Sequence, residues 1–222
     1  MEGSVCVNRG SDSLVTIASN TDLDGGERIR HGQVDLGCYE SDYDGISLPQ
    51  IDNIVYVTPT GAGLRDGSSW ENALGDIQAA DTVARMYGAN VWVAEGVYYG
   101  DTTTANAYIM MEGVNVYGGL VGNETADFDL SLRNFAAHPT ILDGMGVRRV
   151  LYQPNAFQQE TVWDGFTIRN GYTASYSYGG GAYLLALSHL RNCTFTGNQS
   201  GYYGGGAYAR NSTLSNCVIS HN

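Results

Sequence analysis

Short apolar segments separated by glycine, asparagine and aspartate run along the chain from residue 54 onward. Their β-branched and aromatic side chains are typical of β-strands, and no helical pattern alternates with them, which argues against a doubly wound sheet. The predicted strands before the last third of the chain are IVYV (54–57), VWVA (91–94), YIM (108–110), VNVYGG (114–119), TILDG (140–144), RRVLY (148–152) and TVWDGFTI (161–168).

The last third of the chain repeats itself. GGGAYLLALSHLRNCTFTGN at 179–198 aligns with GGGAYARNSTLSNCVISHN at 204–222, and a weaker copy, WDGFTIRNG, precedes them at 163–171. The glycine runs lie 25 residues apart, and the equivalent cysteines lie 24 apart. A repeat of this length with strand-like cores and glycine or asparagine corners indicates one coil of a solenoid. The predicted fold is an all-β, right-handed parallel β-helix.

Equivalent residues of the two repeats should stack along the solenoid axis. The side chains predicted to point inward are Leu190, Cys193 and Phe195, with Leu214, Cys217 and Ile219 stacked above them. Asn198 and Asn222, together with Asn170, are predicted to form a ladder of hydrogen-bonded amides at one corner. The register of the 163–171 copy is open by one residue, and a shift of one residue reverses the face that each side chain takes.

One segment, about residues 69–87, has the pattern of an amphipathic helix. Ser68 and Glu71 form a predicted capping box at its start, and Gly88 is suited to end it. Its apolar face consists of residues spaced three and four apart, namely Leu74, Ile77, Ala80, Ala84 and Tyr87. We expect this N-terminal helix to cap the solenoid, because the first coil exposes an apolar cross-section and an unpaired strand edge.

The composition excludes several classes of function. The chain of 222 residues carries 11 basic residues, all of them arginine, and 23 acidic ones, for a net charge of −12. So acidic a chain is repelled by nucleic acid and by anionic lipid, and no apolar run is long enough to insert into a membrane. Glycine (30 residues) suits tight corners, and tyrosine (16 residues) suits surfaces that contact ligands.

The four cysteines, Cys6, Cys38, Cys193 and Cys217, lack the C-x-x-C spacing of zinc sites. Cys193 and Cys217 occupy the same position in successive coils and should lie about 4.8 Å apart, which is the spacing between adjacent strands. That distance permits a disulfide, but a stacked pair of buried free thiols is the favoured interpretation. No metal site and no cofactor are predicted.

Two kinds of polysaccharide-cleaving chemistry were tested against the sequence. A lyase needs clustered acids to hold Ca²⁺ and a base such as Arg169, Arg191 or Arg210 to remove the α-proton, but acidic residues are sparse in the coils. Calcium is expected under this alternative alone. A glycoside hydrolase needs two carboxylates roughly 5–9.5 Å apart, and Asp143 with Asp164 is the candidate pair. Both precede glycine, and Asp-Gly more often marks a turn.

Tyrosines cluster before each glycine run. The candidate ligand-binding residues are Tyr172, Tyr176, Tyr178, Tyr202 and Tyr203, which stacked coils would bring to one rim of the solenoid. Such a group of side chains suits stacking against sugar rings or against a partner protein. The alternative is that these tyrosines cover an apolar corner of the coil and fix its turn.

The repeat unit GGGAY…NCTFTGN resembles the repeats of the chlamydial polymorphic outer-membrane proteins and of related right-handed β-helix proteins secreted by Bacteroidetes. YVTPTGAGLRDGSSWENAL, VWVAEGVYY, VYGGLVGNE, SLRNF and PTILDG resemble the N-terminal region of the same proteins, and HGQVDLGCYE at 31–40 is similar to the closing motif of a preceding unit. The resemblance implies the pectate-lyase-like fold and a location outside a bacterium, either extracellular or on the outer-membrane surface.

Two parts of the chain are distinguished on these grounds. Residues 1–50 are predicted to be the C-terminal remnant of a preceding β-helix unit plus a linker, and residues 51–222 the N-terminal cap and first coils of a second β-helix, truncated at its C-terminus. The segment MEGSVCVNRG is no signal peptide, so the export signal and anchor are expected outside this segment. The predicted function is non-catalytic, either adhesive or scaffolding, with a glycan or a host or cell-surface protein as partner. A polysaccharide lyase or hydrolase is the alternative, and a stiff spacer is a third possibility.

Overall fold

Seventeen short strands and one α-helix make up the described part of the chain. The structure is a computed structural model that describes residues 51–222, so the predictions made for residues 1–50 lie outside the described residues. In chain order the elements are β1 (Ile54–Val57), α1 (Ile77–Tyr87), β2 (Asn90–Ala94), β3 (Gly96–Tyr98), β4 (Asn106–Ile109), β5 (Val116–Leu120), β6 (Thr140–Asp143), β7 (Arg149–Tyr152), β8 (Thr161–Asp164), β9 (Phe166–Arg169), β10 (Tyr172–Ser175), β11 (Ala182–Leu184), β12 (Ser188–Arg191), β13 (Thr194–Thr196), β14 (Gln199–Gly201), β15 (Ala207–Ala209), β16 (Thr213–Ser215) and β17 (Val218–Ser220).

The strands form three main sheets whose pairings are parallel. The first sheet has the order β1-β2-β5-β8-β12-β16, the second β3-β6-β9-β13-β17 and the third β4-β7-β11-β15, and β10 pairs with β14 beside them. Each full turn of the chain adds one strand to each main sheet, which gives a parallel β-solenoid of about five turns. The predicted parallel β-helix is confirmed. Its right-handed sense stays a prediction, and it is the sense that parallel crossovers almost always take.

The inward column predicted from the two repeats is present. Leu190 pairs with Leu214, and Phe195 pairs with Ile219, in the parallel register. Leu190, Cys193 and Phe195 are fully buried. Residues two dozen positions apart therefore do lie on top of one another, as the repeat requires.

The 163–171 copy joins the same columns. Trp163 pairs with Leu190, and Ile168 pairs with Phe195. Because Trp163 and Ile168 are both buried, this register keeps the apolar side chains of three successive coils in one core. This register removes the one-residue ambiguity that the sequence left in the alignment of the 163–171 copy.

The corner between the first and second sheets needs a left-handed backbone in each coil. Gly165 (φ +88°), Asn192 (φ +52°) and Asn216 (φ +50°) take this place in turn, and asparagine is one of the few residues with a side chain that tolerates it. The Asn192 amide donates to Asp164 Oδ1 (2.8 Å), and the Asn216 amide donates to Asn192 Oδ1. Sequence reasoning aligned the two asparagines but did not predict this hydrogen-bonded column.

Two of the three asparagines predicted to form a ladder, Asn198 and Asn222, do form it. Asn198 Nδ2 donates to Asn222 Oδ1 (2.8 Å) and Asn198 Oδ1 accepts from Gly171 N (2.8 Å). The inclusion of Asn170 was wrong by one position, because Gly171 takes the ladder place in that coil. The exposed Asn170 amide instead donates to Asp143 (3.1 Å).

The capping box predicted at Ser68 and Glu71 is wrong. Residues Trp70–Asn72 form a separate 3₁₀ turn, and the following chain is extended before it becomes helical. Leu74 forms a parallel bridge to Val57, so its backbone is engaged by strand β1 and cannot start a helix. Tertiary pairing has overridden the local helical pattern here.

Helix α1 begins at Ile77 and ends where the sequence predicted. Its N-cap is Asp76, whose carboxylate accepts a hydrogen bond from Ala79 N (2.7 Å) and so satisfies one of the free N–H groups of the first turn. Gly88 ends the helix in the left-handed conformation (φ +66°), which glycine adopts without steric cost.

Helix α1 covers the N-terminal end of the solenoid. Gln78 makes two hydrogen bonds to Ile109 of β4, donating to its carbonyl (3.0 Å) and accepting from its N–H (2.8 Å). These bonds satisfy backbone groups on the first strand of the third sheet, which is how an unpaired edge is protected. Tyr87 is exposed, unlike the rest of the predicted apolar face, whose buried members are Ile77, Ala80 and Ala84.

A second apolar cluster lies on the outer face of the first sheet. Its buried members come from the N-terminal strands and from the segments around them, and are Tyr56, Trp70, Ala73, Trp92, Ala94 and Leu120. The segment 121–139 packs over this cluster and is held there by Arg133. The buried Arg133 guanidinium donates to Gly118 O (2.8 Å) and to Asp164 Oδ1 (3.0 Å). This layer makes the first sheet buried on both faces in the early coils.

Candidate functional site

The two glycine runs stack on each other at the corner that leads into the third sheet. Gly179 N donates to Tyr203 O (2.9 Å), and Gly181 N donates to Gly205 O (3.0 Å). Gly179 has a φ of +64°, and a Cβ atom there would lie 2.2 Å from Ala182 O. Glycine is therefore required for the turn, and the tyrosines that precede each run lie at the outside of the corner.

Four of the five predicted tyrosines form one cluster, which we call the tyrosine strip: Tyr176, Tyr178, Tyr202 and Tyr203. The ring centroids of Tyr202 and Tyr203 are 4.1 Å apart, those of Tyr178 and Tyr202 are 5.5 Å apart, and those of Tyr176 and Tyr202 are 6.4 Å apart. Tyr176 is 85% exposed, Tyr203 58% and Tyr202 51%. The strip thus presents three open aromatic side chains from two successive coils.

A half-buried column of tyrosines supports the strip from below. The rings of Tyr152, Tyr183 and Tyr208 follow one another at 5.6 and 5.2 Å, and Tyr208 lies 4.9 Å from Tyr178 of the strip. Arg149 packs against Tyr152 (5.0 Å) and Tyr183 (5.4 Å) and donates to Tyr178 O (2.8 Å). These contacts fix the base of the strip, so little ordering remains to be done when a ligand binds.

Only part of this tyrosine column could be predicted from the sequence. Tyr183 and Tyr208 are equivalent in the two repeats and do pair in register. Tyr152 pairs with Tyr183, but it lies outside any recognisable copy of the repeat. A column of this kind is therefore found only once the register of the earlier coils is known.

The segments that form the strip are neutral although the chain is acidic. No charged residue occurs from 170 to 188 or from 192 to 209, and the Arg149 guanidinium lies beneath the strip against Tyr178 O. The tyrosine hydroxyls are protonated at neutral pH, and the neighbouring Tyr203 hydroxyl raises the pKa of Tyr202 further. The surface consists of aromatic faces, hydroxyl groups and glycine backbone.

Tyr172 does not belong to the strip. It lies at the start of β10, pairs in register with Gln199 of β14 and lines an open groove together with Tyr99. The predicted set of five tyrosines is thus divided by the structure into a cluster of four and one residue at a different surface.

The two candidate carboxylates are separated by the fold. Asp143 ends a strand of the second sheet and Asp164 ends a strand of the first, so they do not stack one coil above the other. Asp143 is paired with Arg169 (2.8 Å), and Asp164 is paired with Arg133 (3.0 Å). The interpretation of both Asp-Gly steps as strand ends that lead into turns agrees with the structure.

Hydrogen bonding also keeps Asp143 ionised. Burial pushes the pKa of Asp143 upward, but hydrogen bonds from Met145 N, Arg169 and Asn170 outweigh it, and the pKa lies below its usual value. A general acid needs the opposite shift. Of the three arginines considered as bases, Arg169 is engaged by Asp143, while Arg191 and Arg210 are exposed.

Neither a metal cluster nor a membrane span is found in residues 51–222. No group of three or more histidine, cysteine, aspartate or glutamate side chains in that range could hold a metal ion. No helix in the same range is both long and apolar enough to cross a bilayer.

Cys193 and Cys217 are stacked free thiols, as favoured from the sequence. Cys193 is buried and Cys217 is half-buried. Burial raises the pKa of Cys193 well above its usual value. The neighbouring Cys193 thiol lowers the pKa of Cys217 to about 7.

The fold and the corner at the stacked glycine runs describe the chain as a parallel β-solenoid that displays an aromatic strip. Comparison with protein-family models, with curated proteins and with solved structures gave no match in any of the three.

Proposed function

We propose that this chain is a non-catalytic, secreted or cell-surface β-helix segment that binds a glycan through the tyrosine strip and serves adhesion. The observation that carries the proposal is the exposure of Tyr176, Tyr202 and Tyr203 side by side on one corner of the solenoid. Aromatic rings are favoured for contacts that are apolar on one face and hydrogen-bonded at the edge. Sugar rings have this combination of C–H faces and hydroxyl edges.

The spacing of the strip supports an extended ligand. Tyr178 precedes the first glycine run and Tyr203 the second, and their rings are stacked with centroids 6.0 Å apart. The rings of successive coils therefore repeat along the solenoid axis at intervals comparable with the strand spacing. A glycan chain that lies along the axis could place successive sugar units on successive coils.

The surroundings of the strip suit a glycan. Glycine, serine and tyrosine surround it, so hydroxyl groups and exposed backbone lie beside the aromatic rings and can bind the hydroxyl groups of a sugar. A surface location, expected from the resemblance to secreted β-helix proteins, belongs to the same proposal. The engaged states of Asp143 and Asp164 give no support to the lyase or hydrolase alternative.

A glycan array probed with the labelled 222-residue chain tests this proposal. Replacing Tyr202 and Tyr203 together by alanine should weaken binding about tenfold or more, because truncation of anchor aromatics typically costs over 1 kcal/mol each. Tyr87→Ala, on the exposed side of α1, is the matched control and should leave binding unchanged.

Three results would contradict the proposal. The array could show no binding, or binding that the double variant retains in full, or binding to immobilised proteins alone. Incubation with polygalacturonate and Ca²⁺ tests the enzymatic alternative, since an unsaturated product absorbing in the ultraviolet would establish a lyase.

A further inference from the structure

An open groove lies away from the tyrosine strip, where β6 and β9 end. Its volume is about 540 Å³, which is within the range of small-molecule sites. Gly146, Gly171 and Gly197 contribute to its lining together with Tyr99 and Tyr172. Gly146 and Gly197 are exposed, and the absence of side chains at these two glycines leaves their backbone accessible beside the aromatic rings.

The polar groups beside the rings are amides. Gln199 is the register partner of Tyr172, so its side chain lies next to the tyrosine on the adjacent coil. Asn170 lines the groove between these strands and the turn at Met145. Asn170 and Gln199 are both exposed, and an amide side chain can both donate and accept hydrogen bonds.

The groove carries no free charge for an ionic ligand. Its one carboxylate, Asp143, accepts hydrogen bonds from Arg169 Nε (2.8 Å), Asn170 Nδ2 (3.1 Å) and Met145 N (2.8 Å). The lining contains neither arginine nor histidine, so an anionic ligand would find no counter-charge there. A cation would have to compete with Arg169 for Asp143.

A strained turn forms one wall. Met145 has a φ of +59°, a left-handed conformation that is uncommon for a residue with a long side chain. It is held there by its bond to Asp143 and by a hydrogen bond from Gly146 N to Asn170 O (2.7 Å). Such strain is often retained where it shapes a binding surface, and here it places an exposed thioether at the edge of the groove.

We propose that the groove between Tyr99 and Tyr172 is a second binding site, which takes one neutral saccharide unit. The two rings cover its apolar faces, and the Asn170 and Gln199 amides bind its hydroxyl groups. The inference rests on the proposed function for the class of ligand, but it uses none of the residues of the tyrosine strip. The two sites can therefore be tested separately.

Saturation-transfer difference NMR on the 222-residue chain provides the test. The probes are the methyl glycosides of glucose, galactose and mannose, with galacturonate as the anionic comparison. Tyr172→Ala and Gln199→Ala should each reduce the affinity of the best neutral probe about tenfold, since each removes one anchoring contact. Both side chains are exposed, so circular dichroism should show an unchanged fold.

The double variant Tyr202→Ala, Tyr203→Ala distinguishes the groove from the strip. Binding of the neutral probe should persist in this variant if the groove is the site. The proposal is overturned if no neutral probe gives a signal, if the signal survives both groove variants, or if galacturonate binds more tightly than every neutral probe. Loss of the signal in the strip variant alone would assign the sugar to the strip and leave the proposed function intact.

Discussion

The early coils and the late coils of this solenoid share one inner core but differ on the outside. In the early coils the outer face of the first sheet is covered, and Tyr56 and Trp92 are buried there, only 8% and 4% exposed. In the late coils the corresponding outer positions are occupied by polar or charged residues such as His189 and Arg191. One fold thus has strands buried on two faces at one end and on one face at the other.

This difference explains two hydrophobic patterns within a single sheet. Strand β2, NVWVA, is almost continuously apolar because both of its faces are buried, whereas β12, SHLR, alternates because one face meets solvent. The outer layer is supplied by segments between strands, and these segments are absent from the short repeats. The length of the connections therefore determines whether the sequence of a strand is continuously apolar or alternates between apolar and polar residues.

The largest expected effect comes from the inner column, which both regions share. Phe195 is fully buried between neighbouring coils, whereas its stacked partner Ile219 is 53% exposed. Phe195→Ala should lower the free energy of unfolding by about 3–5 kcal/mol, since it leaves a cavity between coils. Ile219→Ala should cost less than about 1 kcal/mol. Urea denaturation of both variants measures the difference, and equal losses would show that burial between coils does not set stability.

The outer layer itself is expected to depend on Arg133. Its side chain is 4% exposed and joins segment 121–139 to the first sheet through Asp164. Arg133→Ala should cost about 3 kcal/mol, because removing one partner leaves a buried carboxylate uncompensated. The exposed Arg191→Ala is the control.

Limited proteolysis gives a second measurement on the Arg133 variant. Cleavage within 121–139 should become faster, while cleavage in the late coils should not change. If Arg133→Ala were no less stable than Arg191→Ala, the outer layer would be held by its apolar contacts alone, and the ion pair would be incidental.

The late coils could be predicted from the sequence far better than the early ones, for physical reasons. A repeat whose motifs recur at 24 or 25 residues assigns Leu190 to Leu214 without any knowledge of the fold. No such guide exists for Leu74, whose helical spacing was overridden by its bridge to Val57. Long-range pairing of this kind leaves no mark in local periodicity.

The candidate site shows the same limit. The tyrosine strip follows from the repeated glycine runs, but Tyr172 was grouped with it only by nearness in sequence. The groove depends on Tyr99 and Tyr172, which lie more than seventy positions apart and which no alignment of the repeats brings together. The ladder error at Asn170 has a simpler origin. The register of the 163–171 copy is unbroken from Trp163, beside Leu190, to Ile168, beside Phe195, and it carries on to place Gly171 beside Asn198. Matching the two asparagines by residue type moved the alignment by one position.

The cap at the early end contains a group that should make stability depend on pH. Asp81 is buried in α1, and neither of its carboxylate oxygens has a hydrogen-bond partner within residues 51–222. Burial, with a smaller contribution from Asp76, raises the pKa of Asp81 well above 3.8. A raised pKa means that the folded state holds the proton more tightly than the unfolded chain. The stability it contributes is fully present below the unfolded pKa and is lost as the pH rises through the folded pKa.

Asp81→Asn should remove this dependence. The variant is expected to be more stable than the parent at pH 8 by about 1–2 kcal/mol, because a buried unpaired charge is costly, and close to the parent at pH 4. Urea denaturation at both pH values measures the change. The exposed Glu160→Gln alters net charge equally and should show no such trend, and an Asp81→Asn effect of the same size at both pH values would contradict the proposed titration.

The smallest expected effect concerns the stacked thiols of Cys193 and Cys217. It is a difference in their chemical reactivity and not a change in stability. Because the Cys193 thiol lies next to Cys217, the pKa of Cys217 lies at about 7, whereas burial raises that of Cys193. Thiolates are the reactive species, so iodoacetamide should alkylate Cys217 first, with a rate that rises through pH 7, while Cys193 stays unmodified in the folded chain. Peptide mapping by mass spectrometry separates these sites from Cys6 and Cys38. In Cys193→Ser a polar hydroxyl replaces the thiol beside Cys217, so the pH of half-maximal rate should move little, and in Cys193→Ala it should rise toward the usual value of about 8.5. An unchanged profile in Cys193→Ala would show that residue 193 does not influence the titration of Cys217.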